Sequence, residues 1–348
     1  MGRRVLVTGL GTFWGGRVAQ ALESEPDVDV VVGMGVEEPK VPLERTEFVR
    51  ADASYSILSR LVKATQVDTI VHTHLVVDQT QMPSRQVHET NVIGTMNLLA
   101  AASDPASSVR DVIVKSSTLV YGSSAQDPTW FTEETPRRSR KPTGIERSLE
   151  EVEGYVRDFA LDNPHVNIAL LRFCKVLGEE LVTPISRALQ LPLVPSIAGF
   201  DPRMQFVHET DVVAAMAFVL RRRLSGVYNV AGDGVLPWSE VAAICGKRTF
   251  PITPYGTGLA GIALRRLGLD LPDELLTLLR YGRGVDNSRL KDLGFAYRCT
   301  TAGTVRAFAE ATRLRATVGD PHPTYTFEQD VEQFFRHSPA VVRDPDRP

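Results

Sequence analysis

Through the first half of the chain, short β-branched runs alternate with longer stretches in which apolar residues recur every three or four positions. The β-branched runs predict strands at Val5–Thr8, Val28–Val32, Glu47–Arg50, Thr69–His72, Val112–Lys115 and Ile168–Leu171. Between them the spacing predicts helices at Gly15–Glu23, Ile57–Thr65, Gln86–Ala102 and Ile145–Leu161. Strands separated by helices form right-handed crossovers, and hence a parallel sheet covered on both faces. From Gly178 onward the rhythm changes, with Pro184, Pro192, Pro195 and Pro202 punctuating short pieces. Phe206–Ala217 reads as a strand end passing into a helix, Gly256–Tyr281 as helical and apolar, and Asp286–Phe295 as a last ordered unit. The expected fold is α/β: a Rossmann-like doubly wound parallel sheet over residues 1–178, rejoined by 206–235. A smaller C-terminal substrate lobe is expected from 179–205 and 236–316, followed by a polar tail at 317–348 with no periodicity.

Composition narrows the function classes. A net charge of −3 over 348 residues gives no reason to expect nucleic acid or an anionic membrane as partner. No apolar run reaches the roughly 18 residues of a bilayer span. The residues before Val5 are too few for the apolar core of a signal peptide, so a cytoplasmic location is expected. Cys174, Cys245 and Cys299 are far apart and odd in number. They read as reduced thiols without metal-ligand spacing, and no metal is expected.

The most informative segment is Thr8-Gly9-Leu10-Gly11-Thr12-Phe13-Trp14-Gly15, a glycine turn between a strand and a helix. Glycines there permit the tight turn, the approach of a pyrophosphate and the packing of helix on strand. The helix start offers unpaired N–H groups and a positive dipole end to phosphate. The bland alternative is a glycine-rich corner that binds nothing.

The turn resembles the Thr-Gly-x-x-Gly-x-x-Gly signature of extended short-chain dehydrogenases/reductases, the NAD-dependent epimerase/dehydratase family. Further similarities follow in order: Ala51-Asp52-Ala53, Asp68-Thr69-Ile70-Val71-His72, Asn91-Val92-Ile93-Gly94-Thr95 and Ser116-Ser117-Thr118-Leu119-Val120-Tyr121-Gly122. Leu171-Arg172, Phe206-Val207-His208 with Asp211, and Tyr228-Asn229-Val230 extend it to roughly residues 4–315. The runs Glu47–Asp52, Tyr121–Ser124 and Glu153–Arg157 look like an actinobacterial, UDP-glucose 4-epimerase-like branch.

The resemblance implies NAD as cofactor and a nucleotide sugar, or another small molecule, as substrate. It implies cofactor contacts at Gly9, Gly11, Thr12, Phe13, Trp14, Gly15, Asp52, Ala53, Thr73, His74, Asn91, Ser116 and Arg147, and substrate contacts at Lys175 and Arg203. It also implies a homodimer built from the helices near 86–103 and 145–161, with Val92, Met96, Leu99, Val152, Val156 and Phe159 as candidate seam residues.

The departures from that pattern are systematic. Thr12 stands at the second signature glycine, where a Cβ crowds the pyrophosphate approach. Gly35 stands where an acidic residue would accept ribose hydroxyls, and the nearest carboxylates are Glu37 and Glu38. No arginine replaces it, so NADP is neither indicated nor excluded. In the family a tyrosine and a lysine four residues later share one helix face and move a proton, helped by a Ser or Thr. Ser117 fills the Ser/Thr place, and anchoring on the helix behind it puts Thr143 at the tyrosine and Arg147 at the lysine. None of the eight tyrosines has Lys four residues on. Threonine is far too weak an acid to replace a phenol, and arginine does not readily trade a proton.

Other groups could supply chemistry, each with a plainer reading beside it. Glu146, Glu150 and Glu151 are either a base or a solvated helix face. His72 and His74, two apart on a strand, either both point into the cleft or are structural. Arg137, Arg138, Arg140 and Lys141 either steer an anion or form a solvated loop. The apolar stretch 256–279 is either lobe core or a groove. Three functions stay open: a sugar-nucleotide enzyme with altered catalytic groups, a catalytically inactive nucleotide-binding regulator or assembly partner, and a fold that no longer binds a dinucleotide.

Overall fold

The computed structural model describes residues 2–78, 82–138, 142, 144–253, 273–318, 338–340 and 342. The chain begins β1 (Arg3–Thr8), α1 (Phe13–Glu23), β2 (Val28–Gly35), β3 (Thr46–Arg50), α2 (Tyr55–Thr65) and β4 (Thr69–His72). The long helix expected after β4 is α3 (Ser84–His88) and α4 (Gly94–Ala102), joined through a π-helical turn at Glu89–Ile93. β5 (Asp111–Ser117), α5 (Gly144–Asp162), β6 (Asn167–Phe173), β7 (Lys175–Leu177) and α6 (Pro184–Gln190) follow. Then come β8 (Leu193–Ile197), β9 (Arg203–Met204), β10 (Phe206–His208), α7 (Glu209–Arg222) and β11 (Gly226–Val230). The remaining elements are β12 (Leu236–Pro237), α8 (Trp238–Ile244), β13 (Arg248–Ile252), α9 (Asp273–Tyr281), α10 (Ser288–Asp292) and α11 (Thr301–Val318).

Seven strands form one sheet in the order β11-β6-β5-β4-β1-β2-β3, with all neighbours parallel. Strand order reverses between β1 and β4, which opens a crevice at the carboxyl ends of the strands. β1, β4 and β5 are almost continuously buried, as strands with helices on both faces must be. Helix α5 buries Ile145, Leu149, Val152, Val156 and Phe159, a three-and-four spacing that seats one face on the sheet. α7 is capped by the His208 side chain, with Glu209 and Asp211 in its first turn and Arg221 and Arg222 in its last, each charge favourable to the helix dipole.

The main core follows this sheet. A second apolar cluster gathers Leu177, Ile185, Val194, Phe206, Trp238, Val305 and Phe308 from the segments between and after the last sheet strands. Trp238 Nε1 donates to the Pro195 carbonyl at 2.8 Å and so fixes this cluster's centre. Short pairs β8–β13 and β9–β12 belong to the same region, and their proline-broken runs carried no legible period.

Several expectations need correction. Val92, Leu99, Val152, Val156 and Phe159 are buried inside the chain, so of the proposed dimer seam only Met96 stays exposed. These helices need an apolar inner face to sit on the sheet, and the seam residues are that face. In the expected tail, Ala340 accepts a hydrogen bond from Arg4 Nη2, and Val342 N–H donates to the Ala64 carbonyl at 2.7 Å. Those residues therefore dock on the body. Of the apolar stretch read between Gly256 and Tyr281, residues 256–272 lie outside the described residues; Leu275 and Leu279 belong to the second core.

Candidate functional site

A cleft of about 1940 Å³ opens at the carboxyl ends of β1, β2, β4 and β5 and runs to α9 and α11. Gly9, Gly11, Thr12, Phe13 and Trp14 form one wall, and Asp52 and Ala53 lie beyond them. Thr73 and His74 follow β4, Ser116 and Ser117 end β5, and Lys175 starts β7; all five line the same space. These residues come from distant points of the sequence, and the sheet alone brings them together.

The turn is built for close approach. Gly9 takes φ +70, and a Cβ on Gly15 would lie 2.1 Å from the Gly9 carbonyl oxygen, so the strand can hand over to α1 only through glycine. Gly15 itself does not line the cleft; it acts behind the turn. Thr12 is the N-cap. Its Oγ1 donates to the Gly9 carbonyl at 2.7 Å and accepts from Gly15 N–H at 3.2 Å. One of the helix's free N–H donors is thereby used internally, which leaves those of Phe13 and Trp14 for a ligand.

The missing acid of β2 has a structural counterpart. A Cβ at Gly35 would sit 3.2 Å from Leu10 N and 3.3 Å from Gly11 N, so a side chain there would crowd the turn. Of the two neighbouring carboxylates, Glu38 pairs with Arg50 at 2.7 Å, whereas Glu37 lines the cleft.

Helix α5 does not present what its sequence anchoring implied. Thr143 lies outside the described residues. Arg147 points away from the cleft, 71% exposed at its side chain, and pairs with Glu151 at 2.9 Å. The residue of α5 that lines the cleft is Ile145, and one turn further on Leu149 is fully buried. Another turn on, Glu153 accepts from Ser116 Oγ at 2.6 Å and from Arg172 Nη2 at 2.6 Å. The inward face, read at four-residue steps, is thus Ile145, Leu149, Glu153. That face is offset by two residues from the places at which the sequence anchoring puts Thr143 and Arg147.

Tyr121 is no substitute acid. Its hydroxyl accepts from Arg172 Nη1 at 2.8 Å and donates to Asn229 Oδ1 at 2.8 Å, and burial raises its pKa. Asn91 stands behind the cleft wall: its side-chain amide bonds the N–H and carbonyl of Val76 at 2.7 and 2.9 Å and reaches Ser148 Oγ at 3.2 Å. Arg203 lies on β9 with an exposed side chain and does not line the cleft.

The two histidines divide. His72 is buried, with Nδ1 2.8 Å from Thr8 Oγ1 and Nε2 3.0 Å from Thr95 Oγ1, and burial lowers its pKa to about 3. It ties β4 to β1 and α4 and stays neutral. His74 faces the cleft, where burial and then the Lys115 charge lower its pKa. Glu146 is not on a solvated face: it is 5% exposed and paired with Arg137. Arg137 also lies 3.2 Å from Glu150, so the first residue of the basic loop is turned inward.

Two lysines in the cleft carry strongly shifted pKa values. Burial brings Lys115 to about 8, and burial followed by the Arg283 charge brings Lys175 to about 8. The sequence reading did not single out Lys115. A charged residue at the end of an otherwise apolar strand was the available signal.

Comparison with known proteins agrees with this geometry. Residues 5–231 match the profile of the NAD dependent epimerase/dehydratase family. An uncharacterized protein of Mycobacterium tuberculosis is 33% identical over 334 residues, which cover 93% of this chain and 88% of that one. A Mycobacterium bovis protein gives the same values. Among solved structures, UDP-glucose-4-epimerase from Stenotrophomonas maltophila, with bound NAD and formylated UDP-arabinopyranose, superposes with TM-score 0.67 at 19% identity, covering 90% of this chain and 99% of that one. dTDP-glucose 4,6-dehydratase from Bacillus anthracis, in complex with NAD, gives TM-score 0.65 at 19% identity, covering 90% and 97%. At these identities the likeness to solved structures concerns the fold. The family profile and the full-length relatives go further: this chain belongs to the NAD dependent epimerase/dehydratase family.

Proposed function

We propose that the protein binds NAD(H) together with a nucleotide sugar in this cleft, and that it lacks the phenol-based proton relay of the enzymes it resembles. The glycine turn, the free N–H groups of Phe13 and Trp14, and the crevice at the strand-order reversal fit a dinucleotide. Glu37 is the carboxylate placed to accept ribose hydroxyls in place of the missing residue on β2. When bound, NAD supplies hydride transfer; the chain's own part is to position the ligand and to handle protons.

The observation that carries the second half is the inward face of α5. Ile145 lines the cleft and Leu149 is buried one turn on, so neither of these steps carries an acid or a base. Ser117 remains at the cleft with its hydroxyl accepting from Leu119 N–H at 3.3 Å. Among the described residues its hydroxyl makes no hydrogen bond to an acid or base that would pass a proton onward.

The test is direct. Purified protein with NAD and UDP-glucose should show no useful interconversion to UDP-galactose, while mass spectrometry of small molecules released from the native protein should find a dinucleotide, a nucleotide sugar or both. Robust turnover that is lost on Ser117→Ala would overturn the claim and direct attention to His74.

A further inference from the structure

Three buried arginines near the cleft are satisfied within the chain, and Lys175 feels the carboxylates of Glu274 and Asp78. Arg172 is held by Glu153, Arg137 by Glu146, and Arg283 by the Gly122 carbonyl at 2.7 Å and Ser123 Oγ at 2.9 Å. Lys115 is different. It is 3% exposed, yet among the described residues no carboxylate, hydroxyl or carbonyl hydrogen-bonds or pairs with its ammonium. Its ammonium lies over the ring of Trp14, whose centroid is 5.8 Å from Nζ.

Trp14 is the second residue of α1, an eleven-residue helix whose start faces the cleft. The buried ammonium and the start of α1 therefore border the same cleft, and among the described residues no carboxylate pairs with that ammonium. An unpaired buried ammonium and a helix N-terminus on the walls of one cleft are two positive features that a ligand's anion would satisfy. His74, the neighbouring titratable group, is pushed toward its neutral form and adds no negative charge. Glu37, the carboxylate on the facing loop, acts on His74 and contributes nothing resolvable to Lys115.

We propose that Lys115 is a diphosphate-binding residue of this cleft, donating from the floor of the sheet to the same anionic group that the N–H groups of Phe13 and Trp14 address from α1. This rests on the reading of the cleft as a dinucleotide site and names a determinant of its affinity. It also balances the turn: Thr12 withdraws the Gly15 N–H from the ligand, and Lys115 supplies a cation in compensation. An ammonium has three donors, enough to bridge two phosphoryl oxygens. The acylation susceptibility of an unpaired, pKa-lowered lysine gives a second handle on the same residue.

Calorimetric titrations with NADH, ADP-ribose and adenosine would compare the unmodified protein with Lys115→Met and Lys115→Arg. Loss of a charged hydrogen bond predicts about 10- to 100-fold weaker NADH and ADP-ribose binding in Lys115→Met, with partial recovery in Lys115→Arg. Adenosine, which has no phosphate, should bind equally to all three. Unchanged ADP-ribose affinity in Lys115→Met, or an equal loss for adenosine, would overturn the proposal. If the unmodified protein binds neither NADH nor ADP-ribose, the dinucleotide reading fails, and trace acylation at Lys115 decides the remaining question by peptide mass spectrometry. Inorganic pyrophosphate that slows acylation of Lys115 selectively supports the anion site; pyrophosphate without effect on that residue overturns it.

Discussion

Helix α1 and helix α5 face the same cleft and present it with different chemistry. At α1 the departures are local: Thr12 caps the helix with its own side chain and Gly35 is kept small by the turn it touches, while Phe13 and Trp14 still offer their N–H groups. At α5 the cleft-lining residue is Ile145, Leu149 is buried one turn on, and the nearest charges are tied into structure as Arg137–Glu146 and Glu153–Arg172. We propose that α1 keeps a ligand-binding surface while the facing part of α5 has become core.

The contrast predicts that the two regions respond unequally to restoration. Leu149→Lys places an ammonium at a fully buried position without a partner. It should cost about 3–5 kcal/mol in urea unfolding, or prevent folding outright. A soluble variant as stable as the parent would show that α5 still has room for the lost base, and the contrast would collapse.

Next in size is Lys115→Met. The folded state binds this proton less tightly than the unfolded chain, with a pKa of about 8 against 10.5. Below pH 8 the lysine is charged in both states and the fold bears the burial cost. Between about 8 and 10.5 the unfolded state holds more protons, so this residue's contribution to stability improves as pH rises. Lys115→Met should therefore be more stable than the parent at pH 7, by on the order of 2–3 kcal/mol, and the gap should shrink toward pH 10. Denaturant titrations at both pH values check the sign. A variant less stable at pH 7 would mean that the ammonium has a favourable partner in the apo fold.

Thr12→Gly tests the other side of the comparison. Losing a threonine cap to glycine costs only a few tenths of a kcal/mol. The freed Gly15 N–H should tighten NADH binding several-fold by calorimetry. Weaker binding would show that the Thr12 hydroxyl itself contacts the ligand. The smallest stability effect belongs to Met96→Arg, at a position 38% exposed. We propose a homodimer that involves this surface. Light scattering at tens of micromolar should then give a dimer for the parent and a folded monomer for the variant, since one substitution acts twice about a two-fold axis. A monomeric parent would end that proposal.

The sheet was legible because its central strands are buried on both faces and a helix such as α5 buries one stripe, so period and length together identify them. The turn was legible because Gly9 and Gly15 answer to backbone geometry that other residues do not satisfy. The lobe was harder. Leu193–Ile197 and Arg248–Ile252 pair across fifty residues, and proline within both runs hides their period. The site was half legible. Residues fixed by strand ends, such as Ser117, Thr73 and Lys175, line the cleft. On α5 sequence anchoring says less, because a helix rotates about 100° per residue and a small offset decides whether a side chain faces in or, like Arg147, out. Lys115 was passed over because strand periodicity reports burial and says nothing about whether a buried charge has a partner.

The central claim is that the dinucleotide site persists where the proton relay does not. Calorimetric titration of the unmodified protein with NAD, NADH, NADP and NADPH tests it most directly. Measurable binding of NAD or NADH at or below millimolar concentration is the predicted result. No heat and no thermal shift with any of the four at millimolar concentration would contradict it.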